Sequence, residues 1–304
     1  MHLLPENIVN LSAAVTDRVQ LNGNDKQSVL IDVLRLDKID SVISGNKWFK
    51  LKYYLKEALA ENKKTLLTFG GAWSNHIVAT ACAAKKIGLA SIGIIRGEAP
   101  AVHSYALQTA SALGMQLVFV GRELYNQKND PAFIASVLQQ YDYPYIIPEG
   151  GEGIAGVKGA GEIIDLVHKE DYTHIICAVG TGTQLAGIAG IAADQQQIIG
   201  IPVLKGFDNW HSPFITKETM PRVHILPGYH IGGYAKRNEA LLNFMNQFYN
   251  ETGIPTDWVY TGKMFFAISD LLKKDYFPAG SRLLAIHSGG LQGNRSLAPG
   301  RLIF

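Results

Sequence analysis

The chain has 304 residues, 47% of them hydrophobic and 18% charged, with 28 basic residues against 26 acidic ones. A balanced charge without a basic run or an aromatic–basic stripe excludes an ordinary nucleic-acid partner. The longest apolar stretch, residues 175–193, is broken by glycines, threonines and Gln184, so it does not read as a membrane span of about 20 apolar residues.

Taken in chain order, apolar strand-like runs alternate with segments of helical spacing. A strand is expected at 29–36, a helix at 47–60, a strand at 65–69, a helix at 75–87 and a strand at 91–95. A helix at 103–113, a strand at 116–120 and helices at 131–140 and 154–168 follow. Then come a strand at 175–179, a helix at 184–193, a strand at 198–203, a helix at 239–249 and a strand at 283–286. This alternation predicts an α/β fold with mostly parallel sheets, and the length predicts two domains. The opening MHLLPENIVN lacks a basic segment followed by an apolar one, and Cys82 and Cys177 sit among apolar neighbours. Free thiols and no leader point to the cytoplasm.

Ligands of open α/β sheets bind beyond the carboxyl ends of strands, which directs attention to polar residues and glycines just after strands. In Ser44-Gly45-Asn46-Lys47-Trp48-Phe49-Lys50, a lysine opens a helix after a glycine turn, where a helix dipole and burial both depress an amine. Lys50, one turn on, projects from nearly the same face. In Gly70-Gly71-Ala72-Trp73-Ser74-Asn75-His76, Ser74 or Asn75 either caps the next helix or meets a ligand above the sheet. Gly180, Thr181, Gly182 and Thr183 offer backbone N–H groups and hydroxyls at a helix start, as a phosphate cradle or as a tight turn.

One tempting motif is discounted. Residues 151–156 fit GxGxxG, but the following strand ends at Val179-Gly180 rather than in an acidic residue for a ribose. No HExxH, metal-spaced Cys/His cluster or GxSxG elbow occurs, so no metal is expected; His224 and His230 flank a proline-glycine turn in poor geometry for sharing one.

The ordered set SGNKWFKL, GGAWSNH, VGTGTQ, DWVYTGK and HSGG resembles the 1-aminocyclopropane-1-carboxylate deaminase and D-cysteine desulfhydrase family, a branch of the tryptophan-synthase-β-like, fold type II pyridoxal-phosphate enzymes. The resemblance implies two open twisted α/β domains, a small one at 50–150 and a large cofactor-binding one made of 1–49 with 151–304. It also implies pyridoxal 5'-phosphate as cofactor, a small amino acid as substrate and a homodimer. By position, Lys47 matches the cofactor-carrying lysine, Lys50 a phosphate-contacting lysine, and Gly180, Thr181, Gly182 and Thr183 the phosphate loop. Asn75 matches the partner of the cofactor's phenolic oxygen, and Ser74 a substrate contact. Tyr260 matches an active-site tyrosine. A second tyrosine matches either Tyr229 or Tyr234, with Tyr234 preferred because it follows paired glycines.

Thr261 stands where the deaminase branch has a glutamate facing the cofactor's ring nitrogen and the desulfhydrase branch a threonine. Ser288, in HSGG, is likewise polar as in the desulfhydrase pattern. Both favour α,β-elimination on D-cysteine or a related β-substituted alanine over ring opening, with the cyclopropane deaminase or a non-enzymatic amino-acid-binding protein as alternatives. Lys47, Ser74, Tyr234 and Tyr260 are the candidates for proton transfer. Trp48 and Trp73 are expected to add bulk near the cleft.

Overall fold

A computed structural model describes residues 5–21, 28–207 and 211–304. The four N-terminal residues on which part of the leader expectation rests lie outside them. The strands form two sheets. The larger holds β1 (Thr16–Val19), β2 (Leu30–Arg35), β7 (His174–Val179), β8 (Gln197–Pro202), β9 (Val223–Ile225) and β10 (Arg282–His287) in the order β1-β2-β10-β7-β8-β9. Among the described residues only the β1–β2 pair of this sheet is antiparallel; there Arg18 lies opposite Asp32 and binds its carboxylate through two guanidinium hydrogens. The smaller, wholly parallel sheet holds β3 (Thr65–Gly70), β4 (Ala90–Arg96), β5 (Met115–Val120) and β6 (Tyr145–Ile147) in the order β5-β4-β3-β6.

The near-continuous apolar runs are explained by helices on both faces. Every residue of β7 is buried. On one face of the larger sheet, Val33, Ile176 and Ala285 pack with Phe265 and Ile268 of α9 (Thr261–Lys273). On the other, Leu34, Ile175 and Ile286 share one apolar cluster with Leu55 of α1 (Asn46–Ala60), Ala79 of α2 (Asn75–Ile87) and Leu66 of the smaller sheet. The smaller sheet is covered by Leu107 of α3 (Tyr105–Ala112) on one side. Tyr125 of α4 (Arg122–Tyr125) and Val137 of α5 (Pro131–Gln140) cover the other.

The discounted glycine motif has a packing role. It leads into α6 (Ile154–Gly161), and a Cβ at its Gly151 would fall 2.9 Å from Lys50 Cβ of α1, while at Gly159, just beyond the motif, one would fall 1.8 Å from the Phe49 carbonyl oxygen. The predicted helix at 154–168 is α-helical only to Gly161 and continues as a 3-10 segment, Glu162–Leu166. The change comes where Gly161 meets the backbone of Gly187 in α7 (Thr183–Ile191). The predicted helix at 239–249 is α8 (Glu239–Thr252), and β1, α4, β6, β9 and α9 are additions to the expected elements. Trp48 points into the shared core, 2% exposed, and adds no bulk to the cleft, because α1 turns it away from Lys47; Trp73 is 43% exposed.

Candidate active site

The start of α1 is locked to the turn after β10. Gly45 has φ 73° and ψ −145°, and a Cβ there would sit 1.8 Å from the Ser288 carbonyl oxygen. Only glycine tolerates both the backbone and the contact. The next amide, Asn46 N–H, donates to that same oxygen at 3.2 Å. Lys47 Nζ then donates to Asn46 Oδ1 at 2.8 Å and lies 5.9 Å from the centre of the Tyr260 ring. Asn46 in turn donates to Gln184 Oε1. Burial lowers the Lys47 ammonium to about 8, against the opposing charge of Asp257, so free amine is accessible near neutral pH.

Lys50 is 5% exposed and reaches the Gly150 carbonyl at 3.2 Å and Thr181 Oγ1 at 3.3 Å. Thr181 and Thr183 hydroxyls stand 2.9 Å apart at the start of α7. Burial first and the Lys47 charge second push Lys50 down to about 7. Among the described residues no carboxylate pairs with this ammonium. A buried cation beside two hydroxyls and the exposed N–H groups of a helix start is a seat for a phosphate-sized dianion.

Unpartnered polar atoms surround the same lysines. Asn75 Oδ1, His76 Nδ1 and Gln184 Nε2 are buried without a hydrogen-bond partner among the described residues. Such atoms are costly unless a ligand meets them. Thr68 Oγ1 donates to the Ile147 carbonyl, so His76 Nε2–H donates to Thr68 and Nδ1 is left with a lone pair. Burial, then Lys47 and Lys50, lower His76 to about 3, which keeps it neutral. Ser74 Oγ accepts from Ile77 N–H and caps α2. Asn75 Nδ2 lies 3.4 Å from the Gly290 carbonyl, facing the HSGG turn.

The fourth wall is the start of α9. The rings of Tyr260 and Tyr234 meet edge-to-face at 6.3 Å, whereas Tyr229 donates its hydroxyl to Asp270 further along α9. Of the two competing tyrosines, Tyr234 is therefore the one brought to Tyr260. Burial pushes the Tyr260 phenol well above its ordinary value. Thr261 is fully buried, and its hydroxyl donates to Asp257 Oδ1 at 2.9 Å while accepting from Asp257 N–H at 2.8 Å. Asp257 also receives the N–H groups of Val259, Tyr260 and Thr261. Sequence reasoning treated Thr261 as an isolated hydroxyl and missed Asp257, Asn46, Gln184 and His76. The pattern D-x-x-x-T before an apolar helical run was a readable cap signal for Asp257.

A pH dependence follows for the cofactor-free protein. Lys47 and Lys50 lose their protons near 8 and 7 in the folded state but near 10.5 in an unfolded chain. The unfolded chain thus holds more protons above about pH 7, and stability rises with pH there. The thermal unfolding midpoint of the cofactor-free protein should climb between about pH 7 and 9, and inorganic phosphate should raise it most at the lower pH. A flat profile would mean that neither lysine is depressed.

A family profile described as pyridoxal-phosphate dependent enzyme matches residues 33–289. The chain belongs to the pyridoxal-phosphate dependent enzyme family. It is 31% identical to a Pyrococcus horikoshii member provisionally named a 1-aminocyclopropane-1-carboxylate deaminase, over 83% of this chain and 81% of that one. It is 25% identical to the D-cysteine desulfhydrase of Salmonella typhi, over 86% of each. A solved structure of an ACC deaminase homologue superposes with a TM-score of 0.77 at 24% identity, over 92% of this chain and 90% of that one, which shows a shared fold. This family member is accordingly a pyridoxal-phosphate dependent lyase/deaminase with the two-sheet fold of the fold type II enzymes. The buried Lys50 beside Thr181 and Thr183 and the orphaned atoms of Asn75, His76 and Gln184 fit the cofactor. No helix among the described residues is long and apolar enough to cross a membrane.

Proposed function

We propose that the enzyme eliminates the β-substituent of a small amino acid, D-cysteine or another β-substituted alanine, rather than opening a cyclopropane ring. The observation that carries this reading is Thr261. Its hydroxyl hydrogen goes to Asp257, and the Asp257 carboxylate already accepts four hydrogen bonds, from the N–H groups of Val259, Tyr260 and Thr261 and from the Thr261 hydroxyl. A carboxylate has about four lone-pair sites, so Asp257 has none left for a ring nitrogen. The position offers a neutral oxygen, which suits departure of a good leaving group such as thiolate.

The residues divide the work as follows. Lys47 would carry the cofactor, Lys50 with Gly180, Thr181, Gly182 and Thr183 would hold its phosphate, and Asn75 would meet its phenolic oxygen. Ser74 contacts the substrate carboxylate. When bound, pyridoxal phosphate supplies the electron sink that makes the α-hydrogen acidic. Lys47 Nζ, accessible as a free amine beside the Tyr260 ring, would take the α-proton. Tyr260 stays protonated, and with Tyr234 it donates toward the departing group. The released product hydrolyses to pyruvate and ammonia, with sulfide if the substrate is D-cysteine.

The same reading makes residues 50–150 a small domain against a large one of 1–49 with 151–304. All four strands of the smaller sheet fall between residues 65 and 147, which supports it. Likeness to the family supports a homodimer, and buried free thiols support a cytoplasmic location.

The test is an absorption spectrum recorded before and after D-cysteine and, separately, the cyclopropane amino acid. A visible band that changes with D-cysteine as pyruvate and sulfide appear is expected. A response to the cyclopropane substrate alone would overturn the reading of Thr261.

A further inference from the structure

Lys263 lies two residues beyond Thr261 in α9 and is fully buried. A hydrocarbon side chain would occupy that place without the desolvation cost of an ammonium. The ammonium instead donates to two carbonyl oxygens of another segment, His230 at 2.8 Å and Gly233 at 2.9 Å.

That segment joins β9 to α8 and carries Tyr234. It has no regular structure from residue 226 to 238, and its backbone is unusual: Ile231, Gly232, Gly233 and Ala235 have φ of 51°, 84°, 118° and 49°. A β-branched residue at positive φ is strained and persists only where its surroundings hold it. Ile231 and Ala235 pack against the cluster of Leu241 and Trp258, whereas Tyr234 between them is 46% exposed and is held less by packing. Within the loop, Gly233 N–H bonds the His230 carbonyl and Lys236 N–H the Gly233 carbonyl. Lys263 grips those same two carbonyls from the helix that presents Tyr260 and Thr261.

We propose that Lys263 is a positioning residue that ties the 230–233 turn to α9 and thereby sets Tyr234 against Tyr260 beside Lys47. One side chain links the two tyrosines, since the helix fixes Tyr260 and the tether fixes Tyr234. The inference rests on the reading of Tyr234 as a residue that handles protons in the reaction.

The experiment compares the holoenzyme with Lys263→Met, Lys263→Gln, Tyr234→Phe and the Lys263→Met/Tyr234→Phe pair, by steady-state kinetics and by hydrogen exchange of residues 226–236. Lys263→Met should lower kcat about a hundredfold, the scale of a small misplacement of a catalytic group, with KM of the same order. Exchange in 226–236 should accelerate while that of 264–272 holds. In the Tyr234→Phe background the Lys263 change should add little. Lys263→Gln keeps two donors and should fall between; it is read in the same way if Lys263→Met does not fold. Unchanged exchange in the loop, or losses that multiply in the double variant, would overturn the tether. Wild-type kcat in Tyr234→Phe together with accelerated exchange in Lys263→Met would remove the role given to Tyr234 and leave the tether standing.

Discussion

Lys47→Ala should abolish turnover, by more than about 10⁴-fold, and remove the absorbance band that depends on a covalent link between lysine and cofactor. The loss should be chemical rather than structural. The hydrogen bond of Lys47 Nζ runs to its own neighbour Asn46, and the helix start is held independently by the Asn46 amide on Ser288. Removing one of two adjacent ammonium groups also relieves Lys50, which the Lys47 charge depresses. The variant should therefore keep a native circular dichroism spectrum and still bind the cofactor without a covalent bond. Substantial activity in Lys47→Ala would end the assignment of this lysine.

The second large effect is expected at Asp257. Replacing it by alanine leaves the N–H groups of Val259, Tyr260 and Thr261 and the Thr261 hydroxyl without their acceptor in a buried place. Loss of a helix cap with stranded buried donors costs about 3 kcal/mol, which a urea unfolding midpoint would record. Because the same bonds fix the backbone of Tyr260 and Thr261, kcat should fall as well, even at temperatures where the variant is fully folded. A destabilised variant with normal kcat would confine Asp257 to capping.

Much of the fold was legible because parallel strands buried on both faces leave apolar runs such as HIICAV, and because the helices between them keep a 3.6-residue period. Lys47, Asn75 and the 180–183 turn drew notice in the sequence because each follows a strand or lies at a helix start, and Lys50 because it lies one turn beyond Lys47. Edge strands were not: β1 has four residues, with Asp17 and Arg18 adjacent and only Val19 buried, and β9 has only three residues. The helix α9 had a readable pattern, with Met264, Phe265, Ile268, Leu271 and Leu272 all on its buried face.

What no local pattern carries is pairing across the chain. The choice between Tyr229 and Tyr234 is made by Asp270, 41 residues from the one and absent from any motif around the other. Trp48 follows Lys47 directly, yet 100° of helical turn sends it into the core, and GxGxxG proved to be a surface for a neighbouring helix. Lys263 is a surface residue by composition and a fully buried one by placement.

Both cysteines are buried, Cys82 with its thiol pushed up to about 11 and Cys177, in the strand behind Lys50, up to about 12, each chiefly by burial. Exchange with a disulfide or a persulfide requires a thiolate, and at physiological pH neither residue supplies one. A thiol or sulfide set free in this cleft attacks S–S bonds, and two free cysteines offer it none, so the catalyst is inert toward the product its own chemistry would generate.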